Sequence, residues 1–116
     1  MAVTITLWHN PRCSKSRETL KLLRAHGVDV VERRYLDDAP GEAEIREVLG
    51  KLGLRPIEMM RPKEALFKEL GLRRDSDDET LIAAMAAHPR LIERPIAIRG
   101  DKARLGRPPE QVLELL

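Results

Sequence analysis

The feature that most constrains this chain is a strand–helix–strand unit packed into its first 35 residues. Val3, Ile5 and Leu7 alternate with Thr4, Thr6 and Trp8, the period-two pattern of a strand over residues 3–8, and Asn10-Pro11 breaks it. From Ser14 to about His26, Leu20, Leu22, Leu23 and Ala25 recur at helical spacing until Gly27 stops the run. Val28, Val30, Val31 and Tyr35 then mark a second strand over 28–35. A helix between two strands so close in sequence predicts a parallel pair with a right-handed crossover.

The middle of the chain reads as helical. Residues 41–53 carry Ile45, Val48, Leu49 and Leu52 and end at Gly53. A shorter helix is expected over Pro62–Leu70, closed by Gly71, and another over Asp77–His88 with Asp77 or Asp78 as its cap. Residues 95–99 and 102–105 predict two short strands around the turn Arg99-Gly100-Asp101-Lys102. Pro108 is placed to open a last helix that buries Val112, Leu113, Leu115 and Leu116. The order is β-α-β, helices, then β-β-α.

At 116 residues the chain is expected to be one domain, and with only 3% aromatic residues its core must be aliphatic. A net charge of +2 is too small for the broad basic face of a nucleic-acid binder. No apolar run approaches the ~18 residues of a membrane span, and no basic segment opens a secretory signal. One cysteine excludes an internal disulfide and a multi-cysteine zinc cage. His9, His26 and His88 are too scattered for a metal site, and the last two fall where helices end. A reducing cytoplasmic setting and a monomer are the expectations.

The charge is uneven. Residues 37–47 hold five acids and one base, whereas residues 94–107 hold Arg94, Arg99, Lys102, Arg104 and Arg107 against Asp101 alone. The first run suits a solvated face, the second a cationic pocket built late in the chain.

Cys13 is the candidate nucleophile. It follows a strand and a turn and precedes a helix, where the positive end of the helix dipole and unpaired amides favour thiolate. A lone cysteine is commonly a small buried hydrophobe, but no apolar side chain other than Pro11 stands between His9 and Arg17. Arg12 and Lys15 beside it push its pKa the same way. The segment Cys13-Ser14-Lys15-Ser16 has the spacing of a C-x-x-C redox motif with its second thiol replaced by hydroxyl. Such a site can form a mixed disulfide but needs an external thiol to resolve it. The amides of Ser14, Lys15 and Ser16 also make an anion nest.

Of 15 arginines, Arg55, Arg61, Arg94 and Arg107 directly precede one of eight prolines, where chance gives about one. The residue before proline is held extended, which fixes where its side chain starts, and guanidinium forks suit tetrahedral oxyanions. Arg55 is explained by turn chemistry alone. Arg94 is not, because Pro95 opens a strand. His9 could polarise the thiol or hydrogen-bond the turn, and Met59-Met60 reads as core filling.

The segments His9–Arg17, Arg61 ahead of Lys68-Glu69-Leu70-Gly71-Leu72, Leu91-Ile92-Glu93-Arg94-Pro95-Ile96 and Gly106-Arg107-Pro108-Pro109-Glu110 together resemble the glutaredoxin-coupled arsenate reductase family over essentially the whole chain. The resemblance is to its short chromosomal branch, because resistance-operon members carry a longer C-terminal tail and Cys-Gly-Thr-Ser where this chain has Cys-Ser-Lys-Ser. It implies an α/β, thioredoxin-like, three-layer fold with a mixed four-stranded sheet and a helical insertion over about 41–88, within a single domain 1–116.

The same resemblance implies Cys13 as catalytic nucleophile, and His9, four residues before it, stands beside it as the second catalytic candidate. It implies Arg61, Arg94 and Arg107 as binders of arsenate or a similar oxyanion and Pro95 as a structural cis-proline, and the nest of Ser14, Lys15 and Ser16 is expected to bind the same oxyanion. It implies no bound cofactor and no metal, glutathione as co-substrate and glutaredoxin as partner. Two rival readings are a monothiol oxidoreductase acting on glutathionylated substrates and a redox-responsive regulator that binds RNA polymerase. Ser16 removes the disulfide switch such regulators use.

Overall fold

The computed structural model describes residues 3–116. The chain forms two compact units, one of residues up to Asp38 together with Arg94–Leu116, the other Ala39–Glu93. What reads as one domain with an insertion at about 41–88 is thus a core and an insertion that builds a centre of its own.

In the first unit, β1 (Thr4–Trp8) leads through α1 (Ser14–Ala25) to β2 (Asp29–Arg33), and β3 (Ile96–Arg99) and β4 (Lys102–Leu105) return later. The sheet order is β2-β1-β3-β4. β1 pairs parallel with β2, Thr4 facing Asp29 through Trp8 facing Arg33, and antiparallel with β3. The β3–β4 hairpin closes over Gly100 at φ +59°, a left-handed conformation that favours glycine. This is the mixed four-stranded sheet the resemblance implies.

Alternation in β1 aims Ile5 and Leu7 into a fully aliphatic cluster with Leu23, Val28, Ala97, Val112 and Leu115. Trp8 is buried as well, stacked on Tyr35 at a centroid separation of 6.4 Å, with the Arg33 guanidinium 5.4 Å from its ring. The last segment differs from expectation. It is a 3-10 turn, Pro109–Leu115, entered through extended Pro108; Val112 and Leu115 are buried, Leu113 is half-buried and Leu116 is exposed. A three-residue repeat places 112 and 115 on one side and turns 116 to water.

In the second unit, α2 (Glu42–Leu52) and α4 (Asp78–Ala87) pack together, and 3-10 turns at Pro56–Met59 and Pro89–Leu91 pack on α4. Ile45, Val48, Leu49, Met59, Leu81, Ile82, Met85, Leu91 and Ile92 are buried. Gly53 at φ +68° ends α2, and the Asp77 side chain accepts from the Thr80 amide to cap α4. The helix expected over Pro62–Leu70 shrinks to α3 (Ala65–Glu69), because Arg61–Glu64 closes as a turn, the Glu64 amide donating to the Arg61 carbonyl at 3.0 Å. Three acids of the acidic run enter solvated ion pairs, Asp38 with Arg33, Glu42 with Arg46 and Glu47 with Lys51. Among the described residues no helix is long and apolar enough to cross a membrane.

Candidate active site

The loop between β1 and α1 is knitted by its own backbone. The His9 amide donates to the Arg33 carbonyl at 2.8 Å and the Cys13 amide to the Asn10 carbonyl at 3.0 Å. Asn10 Oδ1 accepts from the Arg12 amide, and Arg17 reaches back to the Pro11 carbonyl, each at 3.0 Å. Cys13 is thereby held in extended geometry (φ −94°, ψ 124°) as the N-cap of α1. An N-cap side chain faces the first free amides of its helix. Here the side chain is a half-buried thiol, and no side-chain cap bond closes, so the amides act on the sulfur as aimed dipoles.

The Cys13 pKa lies below its ordinary value of 9.0. Burial is the largest single influence and raises it. The Ser16 amide, a hydrogen bond and positive charge from Arg94, and the Lys15 amide together outweigh burial. Arg107 completes the cationic side: its Nη2 lies 3.8 Å from the sulfur while its Nε donates to the Arg94 carbonyl at 2.8 Å. The charge thus comes from residues far away in sequence. Lys15, expected to help, pairs its ammonium with Glu18 at 3.6 Å.

The expected late cationic pocket divides. Arg94 and Arg107 turn to the thiol; Arg99 donates to the Leu115 carbonyl at 2.6 Å, and Arg104 pairs with Glu114 at 2.9 Å. Arg61 lies in the second unit, its guanidinium 3.4 Å from Glu64 and 3.7 Å from Glu93. The Arg94–Pro95 peptide is cis.

The sequence leaves His9 open between polarising the thiol and bonding the turn. Its Nδ1 meets Ser16 Oγ at 2.6 Å and its Nε2 faces Glu32 at 3.9 Å, so both ring nitrogens are turned to partners other than Cys13. The same Ser16 hydroxyl accepts from the Asn10 amide at 3.0 Å. With the Glu32 carboxylate facing Nε2, a neutral ring that carries its proton there leaves Nδ1 to accept from the Ser16 hydroxyl. Burial, opposed by Glu32 and reinforced by Arg34, Arg24 and Arg17, lowers the His9 pKa and favours that neutral form. Through this contact His9 reaches Cys13 only by way of Ser16, whose amide faces the sulfur. Ser14 is exposed at the first helical position.

Two contributors escape sequence reading. An ideal Cβ on Gly106 would lie 2.6 Å from Pro95 Cγ and 2.7 Å from Thr19 Oγ1, while the Gly106 amide donates to the Pro95 carbonyl at 2.9 Å. Thr19 is buried and bonds the Lys15 carbonyl at 2.8 Å. Gly106 lets the segment from β4 to Arg107 close onto the proline beside Arg94. The Gly-Arg-Pro-Pro spelling signals a turn there, but nothing in it reveals the close approach.

A mixed four-stranded sheet with a thiol at the head of its first helix, its pKa drawn below the ordinary value, defines the class as a thioredoxin-like thiol protein. The chain belongs to the ArsC family, whose model matches residues 8–115. It is 49% identical to YfgD of Escherichia coli, titled an uncharacterized protein, over 118 aligned residues covering 100% of this chain and 99% of that one. It is 45% identical to a Haemophilus influenzae protein named arsenate reductase, covering 98% and 100%. A solved structure titled arsenate reductase from Vibrio cholerae superposes with a TM-score of 0.96 at 49% identity, covering both chains completely.

Proposed function

We propose that this chain reduces arsenate to arsenite, with Cys13 as nucleophile. The observation that carries the reading is a thiol drawn toward thiolate with two guanidiniums turned to it, Arg107 at 3.8 Å and Arg94 by hydrogen bond. The Haemophilus influenzae and Vibrio cholerae proteins of that name support it.

In this mechanism the Cys13 thiolate attacks arsenic and forms a sulfur–arsenic bond as a protonated oxygen leaves as water. Arg94 and Arg107 hold the charge on the remaining oxygens, and the aimed amides of Lys15 and Ser16 stabilise the sulfur. Glutathione then attacks the Cys13 sulfur, forming a disulfide. The electron pair of the broken sulfur–arsenic bond stays on arsenic, which falls from +5 to +3 and leaves as arsenite. A glutaredoxin thiol takes the glutathionyl group by exchange and returns Cys13 to its reduced form. One cysteine per chain supports an external resolving thiol. Arg61 belongs to the proposal through its motif alone.

The test is arsenate-dependent NADPH oxidation with glutathione, glutaredoxin and glutathione reductase present. Turnover that vanishes in Cys13→Ser is expected. A wild-type chain that alkylates rapidly at neutral pH yet shows no turnover overturns arsenate as the substrate.

A further inference from the structure

Beside the thiol loop, within the same compact unit, lies an open depression of about 360 Å³ lined by His9, Asn10, Arg12, Arg34, Leu36 and Asp37. Its arginines differ from most others. Arg24, Arg33, Arg46, Arg55, Arg61, Arg73, Arg90 and Arg104 hold carboxylates. Arg17 and Arg99 reach backbone carbonyls, and Arg94 and Arg107 serve Cys13. Among the described residues Arg12, Arg34 and Asp37 have no ion pair or side-chain hydrogen bond. Arg34 and Asp37 remain apart although their backbones close a turn, the Asp37 amide donating to the Arg34 carbonyl at 3.0 Å. The Arg12 backbone is fixed in turn by Asn10 Oδ1.

Two guanidiniums and one carboxylate without partners, exposed on backbone already pinned, form an uncommitted charge pattern. Its complement is a small molecule with two carboxylates and one ammonium. Arg12 is the chain neighbour of Cys13, so such a ligand's thiol would need to extend only one residue's length, ~3.8 Å, along the loop. Half-exposed Leu36 offers apolar surface to methylenes between the charges.

We propose that this depression binds the peptide thiol that resolves the Cys13 adduct, Arg12 and Arg34 taking its two carboxylates and Asp37 its ammonium. The chemistry is that of glutathione, and the inference rests on the thiol-dependent reduction proposed above.

S-methylglutathione, which lacks the reactive thiol, tests the site without turnover. Titrated into the full chain and followed by amide NMR shifts, it is expected to perturb residues 9–12 and 34–37. Arg12→Glu and Arg34→Glu should each raise its Kd roughly tenfold, and so should esterifying its glycine carboxylate. The ester arm leaves the protein untouched, so it answers even if a variant folds poorly. Shifts confined elsewhere, no saturable binding up to about 10 mM, or a Kd indifferent to both reversals overturns the proposal. Binding at this place without arsenate turnover would overturn the reductase reading and leave the site standing. Arsenate turnover whose glutathione KM ignores both reversals would do the opposite.

Discussion

The arginines that flank the β3–β4 hairpin and those inside it come from one run of sequence and meet different fates. Arg94 and Arg107, just before β3 and just after β4, turn to a sulfur; Arg99 and Arg104, within the strands, turn to the Leu115 carbonyl and to Glu114. Guanidiniums that already hold a carboxylate or carbonyl are spent on structure. A guanidinium anchored by one nitrogen, as Arg107 is to the Arg94 carbonyl, keeps its other face for a ligand. Charge density along the chain therefore overstates the site by a factor that only the partners reveal.

The sharpest way to break this contrast is kinetic. Arg107→Ala is expected to lower arsenate kcat/KM roughly 100-fold or more, whereas Arg104→Ala, which opens a surface ion pair, should stay within about threefold and cost about 0–1 kcal/mol. Equal losses in the coupled assay would erase the distinction.

Gly106→Ala attacks the hairpin end that carries Arg107. Its Cβ meets Pro95 and Thr19 well inside contact distance, so unfolding in urea should show a loss of about 1–3 kcal/mol, with activity falling beyond what stability explains. Adding a methyl at Gly50, which has open space around it, is the control and should not destabilise.

The smallest expected effect concerns the turn beneath the thiol. The His9 pKa is lowered from 6.5 in the fold, so below that pH the unfolded chain binds a proton the folded chain resists. The contribution is present above pH 6.5 and lost as pH falls through the folded value. Denaturant midpoints at about pH 7.5 and 5.5 check the sign: the lower pH should be less stable, and more so than in His9→Gln.

Much of this was legible in the sequence. Alternation placed β1 within a residue, Gly53 and Asp77 marked the ends they form, and the polar dress around Cys13 separated it from a core cysteine. Contacts made across long separations were not. No local pattern couples Gly106 to Pro95 and Thr19, gives Arg104 to Glu114 and Arg107 to Cys13, or turns His9 to Ser16 rather than to the thiol. The 3-10 turn at Pro109–Leu115 is not legible, because Val112, Leu113, Leu115 and Leu116 suit an α-helix equally well.

The central claim is that its helix amides and Arg94 draw the Cys13 thiol toward thiolate. The pH dependence of Cys13 alkylation by neutral iodoacetamide tests it without naming any substrate. A midpoint below 9.0, moving upward in Arg94→Ala and unchanged in Arg104→Ala, is predicted. A wild-type midpoint at or above 9.0, or three superimposable profiles, would contradict it.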